Sequence, residues 1–349
     1  MEAFPIGGPG ARLPVTVVTG FLGAGKTTLL RHLLLHSGQR LAVLVNEFGE
    51  VGIDGDLLAS CGFCPEEELE GRLVELANGC LCCTVQDEFL PTMERLLARA
   101  DRLDGIVVET SGLALPEPLV AAFGWPTIRT RTRVNAVVTV VDGEALAAGH
   151  VVGDASAVEA QRRADPSLDH LTALEDLFAD QLEAADLVLV SRADLLAPEE
   201  LEAVRGRLNP HLRSGTTVLP MARGSIDPQV VLAAGAPCAG SGATHHDDHH
   251  HHAHAAMESL VVRRSGHWER EVLERQLRSL LADHPVVRLK GRLHQSGKRL
   301  PLQIQAVGPR LECWYEGGGA RQDDAPGLEL VVLGAAADAE RLAAAFATI

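Results

Sequence analysis

In the first two thirds of the chain, hydrophobic residues form short continuous runs rather than an alternating pattern. The runs lie at residues 15–19, 41–45, 106–108, 134–141 and 187–190. Stretches with helical periodicity separate several of them, for example those at 87–100 and 171–184. Continuous apolar strands that alternate with helices indicate a parallel sheet covered on both faces. A ligand is then expected at the carboxyl ends of the strands.

The pattern changes between residues 226 and 256, where Gly, Ala and Pro lead into a histidine-rich tract. This segment has no apolar periodicity, which predicts a mobile linker. Because the tract is internal and interrupted by Asp, it does not resemble a purification tag. Two interpretations stay open: a solvated spacer, or weak and exchangeable metal binding by imidazole. The seven candidate ligands are His245, His246, His249, His250, His251, His252 and His254.

Beyond the linker the pattern indicates a second, smaller domain of the α+β class with an antiparallel sheet. Strands are predicted at 259–263, 286–293, 301–306, 311–315 and 328–333, and helices at 269–282 and 335–345. The predicted organisation is a first domain at 1–225, a linker at 226–256 and a C-terminal domain at 257–349.

The composition of the chain disfavours several classes of function. The 349 residues carry a formal net charge of −16, which disfavours a nucleic-acid partner. The sequence has no apolar run long enough for a membrane span and no pattern of a signal peptide at its N-terminus. Three of the seven cysteines fall within four positions, which is typical of metal or redox chemistry in a reducing compartment. We therefore predict a cytoplasmic protein.

Residues 20–27 match the phosphate-loop pattern G-x-x-x-x-G-K-[ST], between a predicted strand and a predicted helix. In such loops backbone N–H groups close on phosphate oxygens, and the helix N-terminus favours the negative charge. Lys26 is predicted to neutralise the β- and γ-phosphates, and the Thr27 hydroxyl to bind Mg²⁺. The fold class is therefore predicted as an α/β phosphate-loop NTPase sheet with a smaller C-terminal α+β domain. The remaining predicted nucleotide contacts in this loop are Gly20, Gly23, Ala24, Gly25 and Thr28.

Two later loops complete the predicted nucleotide site. Glu109 ends the strand at 106–108, where a carboxylate can act on Mg²⁺ through water, and Gly112 gives the backbone freedom to reach a γ-phosphate. Ser191 and Asp194 follow the strand at 187–190. Asp194 can accept both N–H groups of guanine, which adenine does not offer in that arrangement. The pattern favours GTP, with Lys26 and Glu109 as the catalytic pair.

Cys80, Cys82 and Cys83 follow an Asn-Gly turn signal and form a compact thiol cluster. Thiolates are soft ligands preferred by Zn²⁺ and similar ions, and a tetrahedral site needs four donors. Three protein sulfurs leave one position for an exchangeable ligand. The alternatives are buried structural cysteines and a redox pair.

Together, residues 20–28, the Asn-Glu-Phe-Gly-Glu sequence at 46–50 and the Cys-Leu-Cys-Cys sequence at 80–83 resemble the metal-handling phosphate-loop GTPases of the CobW family. The resemblance implies GTP hydrolysis and delivery of a transition metal, with Co²⁺ for cobaltochelatase in cobalamin biosynthesis as the implied cargo and client. It also implies that residues 46–56 form a switch loop, with Glu47 and Asp54 as polar participants. One departure is Arg192, because the family usually has Lys there. The Lys stem packs against the base, and Arg can stack in the same place.

The resulting hypothesis is a GTP-dependent metallochaperone whose thiol site is switched by the nucleotide. The alternatives are a zinc chaperone of the same family and a non-enzymatic metal buffer that works through the His tract. A phosphate-loop kinase has no support, since no acceptor pocket is recognisable. The C-terminal domain is expected to bind the client or to control a dimer that depends on nucleotide or metal.

Overall fold

The computed structural model describes residues 12–45, 73–75, 89–164, 173–232, 257–316 and 325–349. The chain divides into two compact units. One contains the described residues of 12–212 and 218–232, and the other contains residues 213–217 and the described residues of 257–349. Among the described residues, none of the helices is long and apolar enough to cross a membrane.

Seven strands form the first sheet. They are β1 Leu13–Thr19, β2 Leu41–Val45, β3 Leu73–Glu75, β4 Gly105–Glu109, β5 Thr132–Asp142, β6 Leu187–Ser191 and β7 Thr217–Pro220. The helices of this part of the chain are α1 Lys26–His36, α2 Leu90–Leu97, α3 Pro116–Ala122, α4 Pro126–Arg129, α5 Gly143–Ala147, α6 Ala155–Ala164, α7 Leu174–Glu183, α8 Pro198–Leu208 and α9 Pro228–Val231.

The strand order is β3-β2-β4-β1-β5-β6-β7, and the pairs from β3 through β6 are parallel. Helices cover both faces. Val15 and Val17 of β1 share a buried cluster with α2, α3 and α4. Thr16 points the other way, because side chains alternate along a strand, and its hydroxyl donates to the carbonyl oxygen of Val231 in α9 at 3.3 Å. The predicted parallel sheet with helices on both faces is confirmed.

The second unit is built on an antiparallel sheet in the order β11-β10-β9-β12-β8. Its strands are β8 Met257–Ser265, β9 Val286–His294, β10 Leu302–Val307, β11 Arg310–Tyr315 and β12 Gly327–Ala335. The helices α10 Arg270–Asp283 and α11 Ala339–Phe346 share its hydrophobic core. Leu273, Leu277 and Leu281 recur every four residues along α10 and are fully buried. The predicted α+β class of this domain is confirmed.

The packed part of the first unit extends further, and one helix begins later, than the sequence pattern predicts. Residues 226–232 were assigned to the linker, but Val230 and Val231 are completely buried and the packed chain continues to Leu232. Four residues are too few for a periodic pattern to show. The last helix begins at Ala339 rather than at residue 335, because β12 extends to Ala335, which pairs with Met257.

Candidate functional site

The phosphate loop lies between β1 and α1, as predicted. Gly20, Gly23 and Gly25 all have positive φ, at 133°, 76° and 104°. At Gly20 a Cβ atom would lie 2.1 Å from the carbonyl oxygen of Val140, so only glycine fits against the neighbouring strand. The loop is therefore shaped by main-chain constraints that its glycines alone can meet.

Lys26 and Glu109, the predicted catalytic pair, are brought together inside this loop. The Lys26 Nζ donates to the carbonyl oxygens of Gly20 at 2.9 Å and Phe21 at 3.2 Å. It lies 3.8 Å from the Glu109 Oε1, and both side chains are more than nine-tenths buried. Burial strengthens the attraction between the two charges, because little water screens it. The ammonium group is thus held at the loop, where a phosphate group would need it.

The other predicted residues of this loop lie in different environments. Ala24 is buried, Thr27 is half-buried in the first turn of α1, and Thr28 is exposed. The turn after β7 packs against Thr28, since a Cβ atom on Gly224 would lie 2.6 Å from the Thr28 Cγ2. This turn therefore borders the phosphate loop, and no pattern in the sequence predicted its position.

The loop that follows β4 rests directly on the phosphate loop. The Thr110 hydroxyl donates to the Thr19 hydroxyl at 2.8 Å. A Cβ atom on Gly112 would lie 2.6 Å from the backbone nitrogen of Leu22. Only glycine at position 112 therefore allows the backbones of the two loops to approach this closely. Gly112 thus lies beside the phosphate loop, and its contact with a γ-phosphate stays a prediction.

The predicted base-reading loop, at the end of β6, is tied to the phosphate loop by Arg192. This residue has a positive φ of 54°, and its Nη2 donates to the carbonyl oxygen of Gly23 at 3.2 Å. Its Nη1 is hydrogen-bonded to the Asp142 carboxylate. Its Nε lies 3.6 Å from Glu144. In this structure the guanidinium joins the two loops, and its stacking on a base stays a prediction.

Ser191 and Asp194 lie on either side of Arg192 in this loop. The Ser191 hydroxyl donates to the carbonyl oxygen of Val141 at 3.1 Å, and the side chain is buried next to Gly25. The Asp194 Oδ2 lies 3.6 Å from the Nε of Arg223, in the turn after β7. Asp194 and that turn therefore form one edge of the site.

The predicted transition-metal and switch residues lie outside the described residues. These are Cys80, Cys82, Cys83, Glu47, Asp54 and the seven histidines from His245 to His254. Within the described ranges, no group of three His, Cys, Asp or Glu side chains is arranged to hold a metal ion.

Two family profiles match this chain in sequence. The profile described as the CobW/HypB/UreG nucleotide-binding domain matches residues 14–219. The profile of the cobalamin synthesis protein cobW C-terminal domain matches residues 257–349. The chain belongs to the CobW family.

Relatives of the CobW family align with 60–95% of the chain. A zinc chaperone CobW of Pseudomonas aeruginosa is 46% identical over 95% of this chain and 90% of its own length. A zinc chaperone CobW of a Sinorhizobium species is 42% identical over 93% of each chain. The zinc-regulated GTPase metalloprotein activator 1 of Dictyostelium discoideum is 32% identical over 60% of this chain and 47% of its own. The sequence-based assignment to the CobW family of phosphate-loop GTPase metallochaperones is confirmed.

The oxygen donors at this CobW-family site suit Mg²⁺. Thr27 provides a hydroxyl at the start of α1, and Glu109 provides a carboxylate at the end of β4. The strands β1 and β4, which lead to these two residues, are adjacent in the sheet, since Val18 of β1 pairs with Glu109 of β4. Hard divalent cations prefer such oxygen ligands. The donor set therefore fits the metal that the sequence predicted.

Asp142 and Gln181 were missed by the sequence analysis, although each left a signal. Asp142 ends β5, at the same edge of the sheet as Glu109 and Ser191. Gln181 is a polar residue on the apolar stripe of α7, three positions after the buried Phe178. A polar side chain on a core-facing stripe indicates a buried hydrogen-bonding role.

Proposed function

We propose that this chain is a GTP-hydrolysing metallochaperone that takes up a transition metal at Cys80, Cys82 and Cys83 and passes it to a client protein. The observation that carries the proposal is the contact of Lys26 with Glu109 inside the glycine loop. That arrangement concentrates the groups that phosphoryl transfer needs at one point. Membership of the CobW family supports the link from this chemistry to metal delivery.

Each residue of the phosphate site has a role in the proposal. Lys26 binds the β- and γ-phosphates in place of the carbonyl oxygens that it now contacts. Thr27 and Glu109 hold Mg²⁺, with Glu109 acting through water. When bound, Mg²⁺ neutralises charge on the phosphate oxygens. The Gly112 backbone reads the γ-phosphate, and the remaining loop residues hold the other phosphate oxygens.

Guanine selectivity is assigned to Asp194, whose two carboxylate oxygens match the two adjacent N–H groups of guanine. The side chain of the neighbouring Arg223 is mostly exposed, so it can move aside at low cost in free energy. Arg192 supports the selection by fixing the base-reading loop to Gly23. Ser191 completes the loop through its hydrogen bond to Val141.

The thiol half of the proposal couples metal binding to nucleotide. Residues 46–56, with Glu47 and Asp54, follow β2 in the sequence and act as the switch loop. Mg-GTP orders this loop and assembles the three-thiolate site, and hydrolysis weakens it. Coupling of this kind is reciprocal, so metal must tighten GTP binding by the same factor that GTP tightens metal binding.

We favour Zn²⁺ as the cargo, because the two relatives that span nearly the whole chain are zinc chaperones by name. Thiolate ligands suit Zn²⁺, and simple N/S sites bind it more tightly than Co²⁺. The expectation of Co²⁺, of cobaltochelatase as client and of a role in cobalamin biosynthesis stays a prediction. So does a dimer that depends on nucleotide or metal.

We keep the predicted domain organisation and move one boundary, the end of the first domain. The GTPase domain is taken to run to residue 232, with a histidine-rich linker up to residue 256 and a C-terminal domain at 257–349. Deleting residues 245–254 separates a chaperone from a metal buffer. A chaperone keeps its GTP-coupled tight site, whereas a buffer loses its metal capacity.

The decisive experiment measures Zn²⁺ and Co²⁺ affinities of the wild type and of Cys82→Ala, each with Mg-GTP and with Mg-GDP. We expect tighter metal binding with Mg-GTP in the wild type and loss of that tight binding in the variant. Equal affinities with the two nucleotides would rule out the switch. Normal metal binding by Cys82→Ala would rule out the thiol site.

A further inference from the structure

The amide of Gln181 is buried beneath the loop that carries Gly112. The side chain is fully inaccessible to solvent, on the inner face of α7. Its Nε2 donates to the carbonyl oxygens of Gly112 at 3.3 Å and of Ala114 at 3.0 Å. Two carbonyl acceptors require the nitrogen at that position, so the orientation of the amide follows from its partners. One side chain thus holds the loop at two points.

The loop that Gln181 holds is in contact with the phosphate loop. The backbone of Leu22 approaches Gly112 so closely that even a methyl group would not fit between them. Phe178, one turn before Gln181 on the same face of α7, stacks on Phe21 with ring centroids 5.9 Å apart. Helix α7 therefore contacts both the phosphate loop and the Gly112 loop.

The hydrogen bonding of this amide is incomplete in the described part of the chain. The Gln181 Oε1 is buried and has no hydrogen-bond partner there. Leaving a buried acceptor unpaired destabilises the folded state, because the group loses its hydrogen bonds to water. A purely structural residue of the same length, such as Met, would avoid that cost, but it would leave the two loop carbonyls without their donor. The amide at this position is therefore explained by the two loop carbonyl oxygens that need a donor, and not by packing of the helix.

We propose that Gln181 is a positioning residue, which holds the Gly112 loop where it reads the γ-phosphate and so sets the preference for GTP over GDP. This inference rests on the proposed GTP binding. Gln181 acts through main-chain atoms of the loop and touches no phosphate itself. Its loss should therefore affect triphosphate binding while leaving the contacts to the α- and β-phosphates and to the base in place.

The test compares Gln181→Met with Thr139→Val. The Thr139 hydroxyl donates to the main-chain oxygen of Gln181 at 3.1 Å, so this control removes a buried hydrogen bond to the same residue without touching the loop. The dissociation constants of GDP and of a non-hydrolysable GTP analogue are measured with Mg²⁺ for the full chain. The loss of both hydrogen bonds to the loop predicts an approximately 10-fold or greater loss of analogue affinity in Gln181→Met. GDP affinity should stay within about twofold, and Thr139→Val should keep the wild-type ratio of the two affinities.

A second variant guards against misfolding of the first. Gln181→Glu keeps the shape of the side chain and regains one donor when the carboxyl is protonated, which burial favours. Its analogue affinity should rise as the pH falls from 8 to about 6, relative to Gln181→Met.

An unchanged ratio of analogue to GDP affinity in both Gln181 variants would overturn the proposal, as would an equal fall in Thr139→Val. Binding of neither nucleotide by the wild type would overturn the proposed function as well. A wild type that discriminates, together with variants that discriminate equally, would remove only the role of Gln181.

Discussion

Arg192 donates one hydrogen bond to the carbonyl oxygen of Gly23, at 3.2 Å, and so connects the loop after β6 to the loop after β1. The same guanidinium binds the buried carboxylate of Asp142 at the end of β5. Three loops at one edge of the sheet are joined by a single side chain. The fork geometry of guanidinium allows this, because its N–H groups point in fixed and different directions.

Replacing Arg192 with Lys should weaken nucleotide binding. A single ammonium group cannot reproduce contacts to both Gly23 and Asp142, and the guanidinium is partly exposed, which limits the loss. We expect about a 3- to 10-fold lower affinity for GDP, measured by titration calorimetry. Arg163→Lys is the matched control, since Arg163 forms an exposed pair with Glu159 and should change nothing. Equal affinities of wild type and Arg192→Lys would contradict a joining role.

Replacing Lys26 with Met should remove most phosphate binding. The ammonium group is buried, and charge-assisted hydrogen bonds to phosphate contribute about 1.5–3 kcal/mol. We expect a 10- to 100-fold loss of Mg-GTP affinity and loss of GTP hydrolysis. Lys298→Met in the C-terminal unit tests whether the loss is specific, because it should leave both properties intact. Hydrolysis at the wild-type rate by Lys26→Met would exclude the assigned site.

Replacing Gly112 with Ala should destabilise the first unit and impair the nucleotide site. The new methyl group would lie 2.6 Å from the Leu22 nitrogen, so one of the two loops must move. We expect an unfolding free energy lower by about 1–3 kcal/mol in urea titrations. Gly206→Ala is the control: this glycine is exposed on α8 with nothing near its Cβ position, so alanine should stabilise by about 0.5–1 kcal/mol. Equal stability changes in the two variants would refute the close approach.

The stability of the C-terminal unit should fall at alkaline pH because of Cys313. Burial raises the pKa of this thiol from 9.0 to about 12, with a further contribution from Glu274. The folded state therefore prefers the protonated thiol. The resulting stability is fully present below pH 9 and is lost as the pH rises from 9 towards 12. Cys313→Ser does not titrate in this window, so its unfolding free energy should decline less than that of the wild type. Parallel declines would show that the thiol contributes nothing.

Most of the fold could be predicted because its signals are local. The continuous apolar runs correspond to β1, β2, β4, β5 and β6, and the glycine loop identified the strand–helix junction at Gly20 to Lys26. The C-terminal strands were visible through their alternation, as in β12, where buried and half-buried residues alternate over its length. These features depend on neighbours in sequence, which a pattern can show.

The parts that escaped prediction depend on contacts that are distant in sequence. Gln181 of α7 donates a hydrogen bond to Gly112 in the loop after β4. Arg223, in the turn after β7, forms an ion pair with Asp194, in the loop after β6. Val231 accepts a hydrogen bond from Thr16, which is 215 positions away in the sequence. Such contacts follow from topology. They become visible only when the strand order is known.

The strand order also has a consequence for how this architecture can diversify. β1 is the central strand, with β3 at one edge of the sheet and β6 and β7 at the other. The sequence that carries the three cysteines follows β3, whereas Ser191 ends β6 and Asp194 follows it. Selection can therefore change the segment after β3 without altering the loop after β6. In a family built this way, the segments on the two sides of the sheet can change at different rates while the phosphate loop after the central strand stays in place.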